Sequence, residues 1–202
     1  MPRVGLTRDR VVEEAALMAD EVGLSDFTLA ALAERLGLRQ PSLYKHIDSM
    51  AGLQRSISVR AKVELGDVLA RAAVGRSGAD AIHTMSNAYR AWALLHPGRY
   101  QAAQFAPAPG DVDDEAASLA TLKIIADVLV AYDLKGDDAI DAIRAFRSSL
   151  HGFVTLESGG GFGLDVDIDR SFRRMVQGFV IALANWTDRT ARQAVSDHRG
   201  VS

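Results

Sequence analysis

The 202-residue chain contains no cysteine, carries a formal charge of −3, and is 48% hydrophobic and 24% charged. The missing cysteines exclude disulfides, thiolate-bound zinc and a cysteine nucleophile. The start "MPRVGLTRDRVVEEA" lacks a signal-like apolar run and no stretch reaches ~18 uninterrupted apolar residues, so a soluble cytoplasmic protein of one large or two small domains is expected.

Apolar residues recur at helical spacing along most of the chain and sustained alternation is absent, which predicts an all-α protein of about nine helices. Thr7 is placed to cap a first helix with Val11, Ala15, Met18 and Val22 on one face, closed by Gly23. Thr28 is placed to cap a second, carrying Leu32 and Leu36 up to Gly37, and a short third begins at Pro41. A long fourth runs from Ser49 to the glycines of "VGRSG", with Leu53, Ile57, Ala61, Val68 and Ala72 along it. Ile82, Met85, Tyr89 and Trp92 predict a helix stopped by "HPG", and "APAPGDVDD" (106–114) reads as a loop. Leu119, Leu122, Ala126 and Leu129 predict the next helix, terminated by Gly136. Ile140, Ile143, Phe146, Leu150 and Val154 mark another, stopped at "SGGGFG". The last carries Phe172, Met175, Val176, Phe179, Leu183 and Trp186, and its tail "ARQAVSDHRGVS" is expected to be mobile.

The stretch "LAALAERLGLRQPSLYKHID" (29–48) has the parts of a helix-turn-helix. Ala33 is small where the second helix must approach, and Gly37 takes a turn position at which positive φ is cheap only for glycine. Leu32, Leu36, Leu38, Leu43 and Ile47 supply a shared core, and Pro41 suits a first helical turn. With Leu43 and Ile47 inward, Gln40, Pro41, Tyr44 and Lys45 face outward. That face suits duplex DNA: glutamine can pair bidentately with adenine and a proline ring can meet a thymine methyl. Tyr44 and Lys45 can reach phosphate oxygens, and Thr28 can add a phosphate contact at its helix N-terminus. Charge alone does not decide the matter, because residues 1–62 hold nine Lys/Arg against eight Asp/Glu.

Taken together, "TRDRVVEEAALMADEVG", "FTLAALAERLGL", "RQPSLYKHI" and "SMAGL" closely resemble the N-terminal head of the tetracycline-repressor (TetR) family. The resemblance implies a DNA-binding head over 1–48 and a ligand-binding and dimerisation part over 49–202. It implies that Gln40, Pro41, Tyr44 and Lys45 enter the major groove and Thr28 meets the backbone, with Arg39, Ser42 and His46 in the same segment. His46 reads equally well as a structural residue near the helix end. Met50 stands where many members carry a phosphate-binding lysine; Arg3, Arg8 and Arg39 are the candidates to replace its charge, while Arg55 lies too far along.

Further on, "YRAWALLHPGRY" and "RSSLHGFVTLESGGGFG" resemble the WHG-type group of TetR-like C-terminal regions, which implies a small-molecule effector. Tyr89, Trp92, Phe105 and Tyr132, with Tyr100 and Phe146, are expected to line the helical body, although each also reads as ordinary core. Arg147 and His151, four apart, are expected to place polar groups inside it. The apolar face of the last helix is broader than one neighbour needs. By resemblance it implies a homodimer through the last two helices, set over the two half-sites of a palindromic operator.

Other motifs carry less. "DVDID" opens like a calcium loop but has Arg170 and Val176 where glycine and glutamate are required. "SGGGFG" lacks the lysine and hydroxyl residue of a phosphate loop. Ser148, Ser149, His151 and Glu157 do not assemble a triad, since His151 and Glu157, six apart, fall on different helix faces. His83, His96 and His198 show no metal-ligand spacing. The expectation is a ligand-responsive repressor with no catalytic residue, cofactor or metal; a helical carrier or an enzyme without DNA binding is the competing reading.

Overall fold

A computed structural model describes residues 6–186; Arg3, His198 and the tail from Ala191 lie outside them. Nine α-helices and one 3-10 helix, without strands, make up the described residues. They are α1 (Arg8–Val22), α2 (Leu29–Arg35), α3 (Gln40–Leu43), α4 (Met50–Ala73), α5 (Gly78–Leu95), α6 (Pro97–Ala103), α7 (Val112–Leu129), α8 (Gly136–Ser158) and α9 (Ile168–Ala184), with the 3-10 helix at Val130–Tyr132.

The caps act where the sequence places them. The Thr7 hydroxyl accepts from the Arg10 N–H and that of Thr28 from Ala31, each at 3.2 Å, satisfying helix N–H groups that have no carbonyl partner. Ser49 does the same for Gly52 at the start of α4, at 3.0 Å.

Three boundaries differ from the sequence reading. The "HPG" stretch ends α5 and also starts α6, because Pro97 occupies the first helical position, where a missing N–H is harmless. The loop read over 106–114 ends at Asp111, and α7 takes in Asp113 and Asp114 within its acidic first turn. Gly136 opens α8 instead of closing α7; the stop is made by the 3-10 turn and by Asp133, which takes the left-handed conformation at φ 54°.

The chain divides into two compact units. Among the described residues, one comprises 6–68 together with Ala91–Thr121; the other comprises Leu69–Arg90 and 122–186. In the first unit, Val11, Ala15, Leu32, Leu43, Leu53, Ile57 and Ala102 belong to one buried cluster drawn from α1, α2, α3, α4 and α6. Helix α6 lies directly on α1: a Cβ at Gly98 would fall 2.0 Å from the Ala19 carbonyl oxygen, so glycine is obligatory there. Next to it, the Asp20 carboxylate accepts from the Arg99 backbone N–H (2.8 Å) and from its Nε (2.6 Å), and Arg99 also reaches Glu64 of α4 (2.8 Å). Helices α4 and α7 are joined by a buried ion pair, Lys62 Nζ to Asp114 Oδ1 at 2.6 Å, and by Arg55 bonding to Asp111.

The second unit is centred on Ile82, Met85, Leu129, Phe146, Leu150, Phe172 and Leu183, all nearly free of solvent contact. Arg90 of α5 holds Glu157 of α8 at 2.7 Å through Nε and Asp169 of α9 at 2.7 Å, with its guanidinium 4.8 Å from the Phe172 ring centre. Along α9, Phe172, Val176, Val180 and Leu183 are buried, Met175 and Phe179 are half-buried and Ile181 is exposed; Trp186, just beyond it, is half-buried.

Candidate nucleic-acid interface

The turn after α2 is closed by two backbone bonds, Gly37 N–H to Glu34 O (3.0 Å) and Leu38 N–H to Ala33 O (2.8 Å). This paired arrangement requires a left-handed residue between them, and Gly37 supplies it at φ 69°. The chain leaves the turn extended at Arg39 and enters α3, which covers only Gln40–Leu43. Tyr44, Lys45 and His46 therefore stand beyond the α-helix, in tighter turns. Lys45 N–H reaches Ser42 O and His46 N–H reaches Leu43 O, each three residues back.

Leu43 and Ile47 are buried, at 0% and 5% exposure, and they fix the segment's orientation. Gln40, Pro41, Tyr44 and Lys45 are exposed, as are Thr28 and Arg39; Ser42 and His46 are half-buried. Tyr44 presents its ring at 53% exposure. Met50 is half-buried and packs against the core cluster, so its position serves the interior of the head.

Ion pairing gives the near-neutral stretch of residues 1–62 a direction. Arg35 is bound by Glu21 and Glu14, whose hydrogen bonds hold its pKa above the ordinary arginine value. Arg60 faces Glu64 and Glu13, and Arg55 faces Asp111 and Asp113. Among the described residues, Arg8, Arg39 and Lys45 form no ion pair. The unneutralised cations of the head thus include the two that flank the exposed Gln40–Tyr44 face. Sequence counting could not find this, because Arg35 meets carboxylates 14 and 21 residues away.

The residues expected to line an effector cavity are distributed over both units. Tyr89 and Trp92 are core side chains at 4% and 7% exposure, while Phe105 is 54% exposed. Trp92 and Phe105 belong to the first unit; Tyr89, Tyr132, Arg147 and His151 belong to the second. Tyr132 is half-buried and its hydroxyl has no hydrogen-bond partner among the described residues; burial pushes its pKa up. Arg147 and His151 are exposed. The inward stripe of α8 is Ala142, Phe146, Leu150 and Val154, and a residue one step further lies about 100° around the helix.

Residues 82–179 match the family model described as "Tetracyclin repressor-like, C-terminal domain". The uncharacterized HTH-type transcriptional regulator Rv0681 of Mycobacterium tuberculosis is 40% identical over 173 residues, spanning 85% of this chain and 78% of its own. The chain belongs to the tetracycline-repressor family. A second relative, the uncharacterized HTH-type transcriptional regulator YobS of Bacillus subtilis, is 32% identical over 183 residues, 90% of this chain and 95% of its own. A solved TetR variant from Acinetobacter baumannii AYE, in complex with minocycline, shares the fold with a TM-score of 0.69 at 19% identity, covering 90% of this chain and 98% of that one. As a tetracycline-repressor family member, the chain is a DNA-binding transcriptional regulator of the helix-turn-helix type. Its relatives are named as regulators, not enzymes. Among the described residues, no helix is long and apolar enough to cross a membrane, and no three His, Asp or Glu side chains gather as a metal site would require.

Proposed function

We propose that the protein is a homodimeric, cytoplasmic repressor that binds a palindromic operator and leaves it when a small molecule binds. Residues 1–48 make the DNA contacts, and residues 49–202 carry dimerisation and ligand binding. The observation that carries the reading is the exposed Gln40, Pro41, Tyr44 and Lys45 face, seated on a glycine-locked turn and flanked by unpaired Arg39. In this assignment Gln40 and Pro41 read base edges, while Tyr44, Lys45, Arg39 and Thr28 hold phosphates. Arg8, unpaired and exposed at the start of α1, supplies the charge that Met50 does not.

One short recognition segment buries too little surface to bind tightly alone, which favours two heads on one operator. The exposed flanks of α8 and α9, with Ile181 56% exposed on the latter, serve as the dimer face. The minocycline complex of a protein with the same fold supports a small-molecule effector. By linkage, operator and effector must weaken each other's binding by one and the same factor.

The test is a selection of duplex DNA from random fragments, followed by affinity measurements against single base-pair variants. Gln40→Ala should cost about 1–3 kcal/mol and relax preference at one position of each half-site. Failure to select any sequence in modest salt, or a Gln40→Ala loss equal for every sequence, refutes the assignment.

A further inference from the structure

The second unit contains an open groove of about 570 Å³ that includes none of the six residues expected from sequence to bind a ligand. One wall is the end of α4, Ala70 and Ala73, continuing through Val74 to Ser77; the other is the end of α7 and the 3-10 turn, Ile124 to Ala131. Its volume lies within the ordinary range for small-molecule sites. The apolar lining is entirely alanine, valine and isoleucine. With no ring to stack on, the groove favours a flexible aliphatic chain over a planar aromatic one.

Only three lining residues are polar: Arg76, Ser77 and Asp127. The Asp127 carboxylate is already taken by Lys123, which holds both oxygens at 2.8 and 2.9 Å. Arg76 is committed differently. Its Nη1 faces the Ala72 and Val74 carbonyls at 3.4 and 3.3 Å, and its Nε lies 3.4 Å from Asp80 in an exposed pair. Those contacts anchor the guanidinium at the C-terminal end of α4, and Nη2 has no hydrogen bond among the described residues. The groove therefore offers an aliphatic channel with one cation holding donors to spare, while its one acid is occupied.

We infer that this groove binds a medium-chain aliphatic carboxylate, its head group on Arg76 and its alkyl chain along Ala70, Ala73, Ile124 and Val128. The inference rests on the ligand-responsive reading above and names where the ligand sits and its chemistry. A charged head group on a guanidinium gives a strong hydrogen bond, and the apolar walls reward each methylene of the chain.

The experiment is isothermal titration calorimetry of the full-length protein with decanoate and with decyltrimethylammonium, both below their micelle concentrations. Decanoate should bind at one molecule per chain and the cationic amphiphile should not. Arg76→Gln should weaken decanoate about tenfold or more, as expected for losing one charge-assisted bond. Ala131→Trp, on an exposed wall, should abolish binding; each variant's far-ultraviolet spectrum and melting temperature without ligand report whether it folds. Equal binding of both amphiphiles, variable stoichiometry, or undiminished decanoate affinity in folded Arg76→Gln overturns the inference. Operator affinity of the same preparations separates the two readings. Protein that binds operator but takes up no decanoate in the calorimeter refutes the groove and leaves the regulator intact. Decanoate binding that leaves operator affinity unchanged upholds the site and refutes its part in release.

Discussion

The buried pair Lys62–Asp114 offers a decisive measurement. Both side chains are 6% exposed, and the charged atoms are 2.6 Å apart. At an effective dielectric constant of about 20, their attraction is on the order of 6 kcal/mol. Desolvating two ions costs several kcal/mol each, so the pair and a well-packed apolar replacement should be nearly equal in stability. Removing one partner is different, because the survivor stays buried and uncompensated. Lys62→Met and Asp114→Leu should each lower stability by about 3–5 kcal/mol, while the double variant falls within about 1 kcal/mol of the parent. Equilibrium urea unfolding at fixed protein concentration, read as a double-mutant cycle, gives the coupling directly. If the two single losses simply add in the double variant, the charges do not interact, and the account of how α4 is joined to α7 is wrong.

Gly98→Ala should destabilise the protein by about 3 kcal/mol or more, measured by thermal unfolding, because the new methyl group would overlap the Ala19 carbonyl that α6 rests on. Acidification tests the α4–α7 clasp: hydrogen bonding to Arg55 holds the Asp111 carboxyl below its ordinary 3.8. The stability this contributes is complete above about pH 4 and is lost as pH falls through the depressed native value. Arg55→Gln should therefore flatten the acid limb of a stability-against-pH curve, and an unchanged limb would exclude the clasp. A fragment of residues 1–48 should lack a cooperative melt by circular dichroism, since Leu53, Ile57 and Ala102 complete its core from outside.

Local chemistry made much of the head readable. Thr7, Thr28 and Gly37 are short-range devices whose effect depends on residues within a few positions, and all three act as their types require. The outward direction of Gln40 and Tyr44 followed from placing Leu43 and Ile47 inside. Long-range pairing was not readable. Nothing local says that Glu14 and Glu21 neutralise Arg35 while Arg39 stays bare. Proline at 97 is ambiguous for a physical reason: the same missing N–H that ends one helix is harmless at the start of the next. Arg147 and His151 are exposed one step beyond the stripe Phe146, Leu150, Val154, on a different face by helix geometry alone.

The boundary of labour and the boundary of packing do not coincide in this chain. The segment proposed to contact DNA ends near Asp48, yet the unit that holds it continues through the first part of α4 and takes in Ala91–Thr121. Gly98 against Ala19 and Arg99 against Asp20 and Glu64 make α6 part of the support for α1. A displacement of α6 cannot leave α1 where it was, because backbone-to-backbone contact leaves no side chain to absorb the shift. For a regulator, that is a useful arrangement: the helices that carry the exposed Tyr44 and Lys45 share one unit with α6, so residues far along the sequence help to hold them. The face proposed to read DNA is short and exposed, and its placement depends on this support from α6.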